Sequence, residues 1–281
     1  MRRRLPHLAL LVGVFASVLA MAGTASAGVT VRHLYGVAQV GNARELVPFD
    51  ISSTGQLSER ADQAVPVPAS VLSVVVSRDA RTVYVGSQGG WDYNDNEIPG
   101  TIEVFAVAGD GSLSLQQTVI APPRQMVLAP DGSRLFEWDD YGLVVSFAIA
   151  DDGSLGPAIP NPSVVGSARA LAVTPDGSTL YVAVYPQQLE QYAIGTDGSL
   201  TAQLPEEVGL YGCRADFLGV TPDGSQLDAL CYNQGITLSL ASGGGLAFNG
   251  SLFGTWGGSP NVEDVRGRAL YKAIYPNALE H

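Results

Sequence analysis

Two short patterns alternate along this chain, and their alternation constrains the fold more than any single residue does. One runs FDISSTGQL, FAVAGDGSL, FAIADDGSL, YAIGTDGSL and LSLASGGGL, beginning at Phe49, Phe105, Phe147, Tyr192 and Leu238. The other runs VVVSRDARTVYVGS, MVLAPDGSRLFEW, LAVTPDGSTLYVAV and LGVTPDGSQLDALC, turning at Asp79, Asp131, Asp176 and Asp223. Each copy is an alternating apolar run, a turn and a second apolar run. Asp-Gly between such runs is a strong hairpin signal. One copy of each pattern supplies four short strands in roughly 45 residues, the period of a propeller blade. Helical spacing is nowhere sustained, which rejects a helical solenoid. A β-sandwich would not repeat one four-strand unit in register. The predicted fold is all-β: a β-propeller of four-stranded blades.

Counting strands gives about five to six blades. Five innermost strands start near Leu72, Met126, Leu171, Phe217 and Val262, and six second strands are marked by Leu34, Val83, Leu135, Leu180, Leu227 and Leu270. The surplus second strand sits at the end, where AIYPNALEH repeats the earlier AVYPQQLEQ and stops. Either the amino-terminal strands ELVPFDI and QLSERADQ complete that last blade, or the ring is incomplete. The motifs TPDGSTLYVAV and YAIGTDGSL resemble the lactonase-like, or YVTN-repeat, β-propeller family, and the resemblance spans nearly the whole mature chain. It implies a seven-bladed parent, of which this chain holds less than the full ring. It also implies a possible chemistry, since some members hydrolyse sugar lactones such as 6-phosphogluconolactone.

The first residues read as a secretory signal. Arg2, Arg3 and Arg4 precede the apolar run LALLVGVFASVLA, and Ala25, Ser26 and Ala27 supply small residues for cleavage. The apolar run is shorter than the ~20 residues of a spanning helix. The predicted division is a signal peptide over 1–27 and a single propeller domain over 28–281, secreted or otherwise extracytoplasmic. Removal of three arginines and no acid takes the formal charge from -12 to -15. A chain this acidic will not seek nucleic acid or anionic membranes through charge. No later segment is apolar enough to span a bilayer. In an oxidising compartment, Cys213 and Cys231 are predicted to form a disulfide. With Pro222 to Ser225 as the turn, Cys231 would oppose Asp216, so closure calls for a bulge or a curled loop.

Propeller topology sorts the remaining residues between two faces. The Asp-Gly turns fall on one, where their aspartates read as turn formers rather than paired catalytic carboxylates. The opposite face collects aromatic and charged groups. Tyr185, Tyr232 and Tyr275 share one repeat position, and Asp140 holds it in the third repeat, beside Trp138, Asp139 and Tyr141. Aromatics with acids suit a carbohydrate or another small polar ligand; packing between blades is the competing role. Arg124 and Arg169 each lie seven residues before the Asp of their turn, and Asp216 occupies the equivalent place next door. That position opens the innermost strand at the mouth of the channel. Two guanidiniums there can hold a carboxylate or phosphate, or they can tie inner strands together through Asp216. Relatives in the resembled family often carry histidine around this point.

The longest insertion, SQGGWDYNDNEIPG, spaces Asp92, Asn94 and Asn96 like the first ligands of a calcium loop, with Glu103 at the twelfth position. Glu97 stands where that loop needs glycine, and Glu103 belongs to the next strand. A solvated polar loop is the better reading, so no cofactor is expected and calcium is the cation to test. Only His33 and His281 survive signal removal, which leaves a histidine-based triad or zinc site poorly supplied. The function expected is therefore an extracellular binding module, for a small polar ligand or an extracellular protein. A second reading, implied by the resemblance, is a lactone hydrolase in which Asp139 or Asp216 activates water and Arg124 or Arg169 steadies the oxyanion. A third is an inactive propeller fragment.

Overall fold

In the computed structural model the described residues are 32–41, 43–52, 56–91, 97–139, 141–163, 168–185, 188–210, 214–231, 234–240, 246–254, 261–263 and 270–272. They form five four-stranded antiparallel sheets and two small hairpins. From the axis outward, blade 2 comprises Val71–Val76, Thr82–Ser87, Thr101–Val107 and Leu113–Ile120. Blade 3 comprises Gln125–Leu128, Arg134–Trp138, Leu143–Ile149 and Leu155–Ser163. Blade 4 runs Ala168–Val173, Thr179–Val184, Gln188–Ile194 and Leu200–Gly209; blade 5 runs Ala215–Val220, Gln226–Cys231, Gln234–Leu240 and Leu246–Gly254. The inner strands of blades 2 to 5 pack against one another in sequence order. This is the predicted β-propeller.

Blade 1 departs from the pattern. Arg32–Val40 pairs with Ala43–Ile51, and the outer strand is split: Leu57–Glu59 and Val65–Val67 both hydrogen-bond to Ala43–Ile51 around a single 3-10 turn, Ala61–Gln63. Among the described residues, Arg32–Val40 has no strand on its axis side. Asn261–Glu263 and Leu270–Lys272 pair only with each other. A last blade completed by ELVPFDI and QLSERADQ is therefore not found among the described residues. Both the AIYPNALEH segment beyond Lys272 and the signal sequence lie outside them.

Blades 2 to 4 are covered on both faces, which explains why second strands such as TLYVAV are apolar throughout. Leu135 packs toward blade 2 with Val75 and Tyr84, while Phe136, one residue on, packs toward blade 4 with Leu171 and Val182. Polar latches cross the same interfaces. The Tyr84 hydroxyl donates to the Gly153 carbonyl (2.9 Å) and the Ser146 hydroxyl to that of Gly198 (2.8 Å), each in the next blade. At the inner edges, Met126 N–H donates to Ser73 Oγ and Leu171 N–H to Gln125 Oε1. At the outer edges, Leu155 and Leu200 N–H donate to Gln117 Oε1 and Asn161 Oδ1. Edge strands thus meet the demand of buried backbone groups through a neighbour's side chain.

The hairpin turns follow one chemistry. In Asp131, Asp176 and Asp223, and in Asp110, Asp152 and Asp197, Oδ1 accepts from both the N–H and the hydroxyl of the serine two residues on. These bonds favour the charged form and hold all six carboxyls below their ordinary range, Asp223 at about 2. The aspartates are turn formers, but the left-handed backbone of each turn lies elsewhere. In the structure it belongs to the next residue, glycine in all six of these turns. The Asp79 turn has Ala80 there instead, at φ 57°.

Candidate functional site

The channel-mouth residues owe their direction to a repeated irregularity in the inner strands. Pairing skips one residue in blades 2, 4 and 5: the register passes from Val71 to Ser73, from Ala168 to Ala170, and from Ala215 to Phe217. The bulged residues are Leu72, Arg169 and Asp216. In blade 3 the equivalent residue, Arg124, donates its N–H to the Trp138 carbonyl just before pairing begins at Gln125. A bulge turns a side chain out of the sheet's alternation. It exposes Leu72 (40%) and Asp216 in a fold whose inner strands are otherwise buried or half-buried.

Two of these side chains meet. Arg169 Nη2 and Nε both donate to Asp216 Oδ1, at 2.8 and 3.1 Å, joining blades 4 and 5. Asp216 Oδ2 has no protein donor among the described residues. The pair is partly open to water, so it contributes only about 0–1 kcal/mol to stability. One rung higher, a second pair spans the same two blades. Ala168 pairs with Val184 and Ala215 with Cys231, so Tyr185 and Arg214 both lie just beyond those rungs. The Arg214 guanidinium carbon sits 5.8 Å from the centre of the Tyr185 ring, and Tyr185 remains 54% exposed. The sequence reading anticipated Tyr185, Arg169 and Asp216 on one face. It missed Arg214, whose only signal was its place two residues before Asp216.

Other candidates fall elsewhere. Trp138 is buried between blades 3 and 4 against Phe136, Val144 and Ala168, so it offers no ring face to a ligand. Asp139 is buried too, and its Oδ1 accepts from the N–H groups of Tyr141 and Leu143, closing the turn. That oxygen shapes the turn. Tyr141 is almost fully exposed. Asp140, Tyr232, Tyr275 and the loop carrying Asp92, Asn94 and Asn96 lie outside the described residues. Glu103 is in the Thr101–Val107 strand, and burial raises its pKa. Among the described residues no cluster of histidine, cysteine and carboxylate side chains could hold a metal. Cys231 is disulfide-bonded; Cys213 lies outside the described residues. The bulge at Asp216 places Cys231 opposite Ala215, one residue nearer Cys213 than an unbulged hairpin would.

Glu137 was also missed. It occupies the core position held by Val85, Val182 and Ala229 in the neighbouring blades. It is 1% exposed, and its Oε2 has no partner among the described residues. Burial first, and the Asp139 charge second, push its pKa up to about 8.

No family model matches the chain, and no curated protein matches it. Solved structures do. A proposed 6-phosphogluconolactonase from Bacteroides fragilis superposes with a TM-score of 0.69 at 18% identity, covering 91% of this chain and 78% of that one. The chain shares the β-propeller fold of these proteins. The periplasmic gluconolactonase of Pseudomonas aeruginosa superposes at 0.63 with 19% identity, covering 87% and 82% of the two chains. A proposed 6-phosphogluconolactonase from Bacteroides uniformis gives 0.58 at 20%, covering 76% and 68%. At these identities the fold is common ground, and this propeller must be read for function from its own site. No helix among the described residues is long and apolar enough to cross a membrane.

Proposed function

We propose that this chain is an exported lactonase-like propeller that binds a small polar, carbohydrate-like ligand at the mouth of its channel, between blades 4 and 5. The observation that carries the reading is the uncommitted Oδ2 of Asp216, on an exposed carboxylate at the bulge of an inner strand and fixed through its other oxygen by Arg169. An oriented acceptor beside the exposed ring of Tyr185 matches what a sugar hydroxyl and a sugar face require. Export is supported by the leader-like 1–27 sequence, by the disulfide at Cys231 and by the periplasmic location named for the Pseudomonas aeruginosa neighbour.

A second reading has a specific observation in its favour. Asp216 Oδ2 is placed to take a proton from water, with the Arg169 guanidinium alongside to oppose negative charge on a tetrahedral intermediate. In that reading glucono-1,5-lactone, the type of substrate named for the neighbours, is opened to its acid. Calorimetry and turnover assays on the secreted protein with this lactone separate the two. Binding without turnover, lost in Asp216→Ala, supports the binding module. Turnover lost in Asp216→Ala supports the hydrolase. Absence of turnover together with absence of binding of both this lactone and its open acid, gluconate, overturns the site for both.

A further inference from the structure

Among the arginines whose side chains are described, Arg214 stands apart. Arg60, Arg81 and Arg169 each pair with an aspartate, and Arg44, Arg78 and Arg134 donate to backbone carbonyls. Arg124 is engaged as well. Arg214 alone has neither a carboxylate nor a carbonyl among the described residues, in a chain with 27 acids to 15 bases. Among the described residues, its guanidinium lies over the Tyr185 ring. Stacking occupies the face of a guanidinium and leaves the in-plane N–H donors unused. Those donors form a fork that matches a carboxylate.

We propose that Arg214 makes the channel mouth selective for acids, so that its occupant is a small hydroxy acid and not the corresponding neutral lactone or polyol. This rests on the channel-mouth reading above and names the ligand class for it. Arg214 stands two positions before Asp216, at the entry to the Ala215–Val220 strand, about 6–7 Å of chain away. A carboxylate on Arg214 therefore leaves a nearby hydroxyl within reach of Asp216 Oδ2. The lower arginine, Arg169, is already neutralised by Asp216, so the net positive charge of the two stacked pairs comes from Arg214. Tyr185 holds that guanidinium in place and keeps its own outer edge open to the ligand.

The test compares D-gluconate with D-glucitol, which carries the same run of hydroxyls without the carboxylate. Calorimetry on the secreted protein is expected to show gluconate bound at least tenfold more tightly, with affinity falling as salt rises. Arg214→Ala should erase that preference and leave glucitol binding and the melting temperature unchanged, since the side chain is exposed. Arg214→Lys keeps the charge without the fork and should recover only part of it. Tyr185→Ala should weaken gluconate several-fold. Equal binding of both probes by the parent, or a preference that survives Arg214→Ala, overturns the acid selectivity while the mouth site stands. Failure of the parent to bind either probe or glucono-1,5-lactone overturns the mouth site together with it.

Discussion

Carboxylates at the two ends of the blades face opposite electrostatic conditions. At the hairpin-turn end, Asp110, Asp131, Asp152, Asp176, Asp197 and Asp223 are solvated and each accepts hydrogen bonds from its own turn, so ionisation is favoured. Toward the other end, Glu137 is enclosed between blades 2 and 3 with one oxygen unpartnered and Asp139 two residues on, so ionisation is opposed. The lesson is that a repeat fold makes environment a property of position. Surface turns accept acids wherever they recur, whereas a core position tolerates one only as the neutral form.

The largest expected effect breaks this contrast at Glu137. Its folded pKa is raised, so the native state keeps a proton that the unfolded chain releases above about 4.5. The stabilisation is complete below that value and is lost as pH rises toward about 8, at roughly 1.4 kcal/mol per unit. Glu103 and Asp228, also raised by burial, act in the same direction. The turn aspartates act oppositely: their lowered pKa values contribute above the ordinary aspartate range and are lost as pH falls toward 2. Stability should therefore peak near pH 4–5. Glu137→Gln should flatten the fall above that peak and exceed the parent at pH 8 by several kcal/mol. Denaturant melts from pH 3 to 9 check both; a parent most stable at pH 7–8 would refute the account.

The second effect sharpens the turn end. Gly153 has φ 86°, and a Cβ there would lie 2.1 Å from Thr82 Oγ1 in the preceding blade. Gly153→Ala combines left-handed strain with a clash at the site where Tyr84 latches onto the Gly153 carbonyl. A loss of about 2–4 kcal/mol is expected, read as a lowered denaturation midpoint. Gly132, with φ 77° and open space around it, should cost only the strain. Equal losses at both would mean the interblade contact contributes nothing.

Sequence alone carried the blades because Asp-Gly turns and strand alternation are local signals, and local signals repeat. The position of Arg169 and Asp216 on one face followed from the same register. What stayed hidden was non-local. The cation–π partner of Tyr185 depends on how blade 4 meets blade 5, and no spacing in the chain encodes it. Trp138 looked like a ligand platform because of its acidic neighbours, yet the alternation of Arg134–Trp138 turns it into the core with Phe136. Glu137 was read past because one acid in an apolar strand is unremarkable until its face is known to be covered. Asp139 was mistaken for a free acid because its two N–H donors come from a turn that only the structure reveals.

The smallest effect tests whether the turns are interchangeable. Asp79 builds its turn as the others do, with Oδ1 accepting from Arg81 N–H (3.0 Å) and from the Ser77 hydroxyl (2.7 Å). Its successor, however, is Ala80 at φ 57°, where the equivalent turns of blades 3, 4 and 5 have Gly132, Gly177 and Gly224. The side chain of an alanine in that region crowds the following carbonyl at a cost of about 1–2 kcal/mol. Glycine removes the crowding, and its extra freedom in the unfolded chain gives back about 0.5–1 kcal/mol. Ala80 also packs against the Val74 and Val83 cluster, and losing that methyl offsets a further part. Ala80→Gly should therefore stabilise by no more than about 1 kcal/mol, a rise of a few degrees in melting temperature. A net loss would mean that packing against blade 2 outweighs the strain, and that blade 2 departs from glycine because its alanine is part of the core.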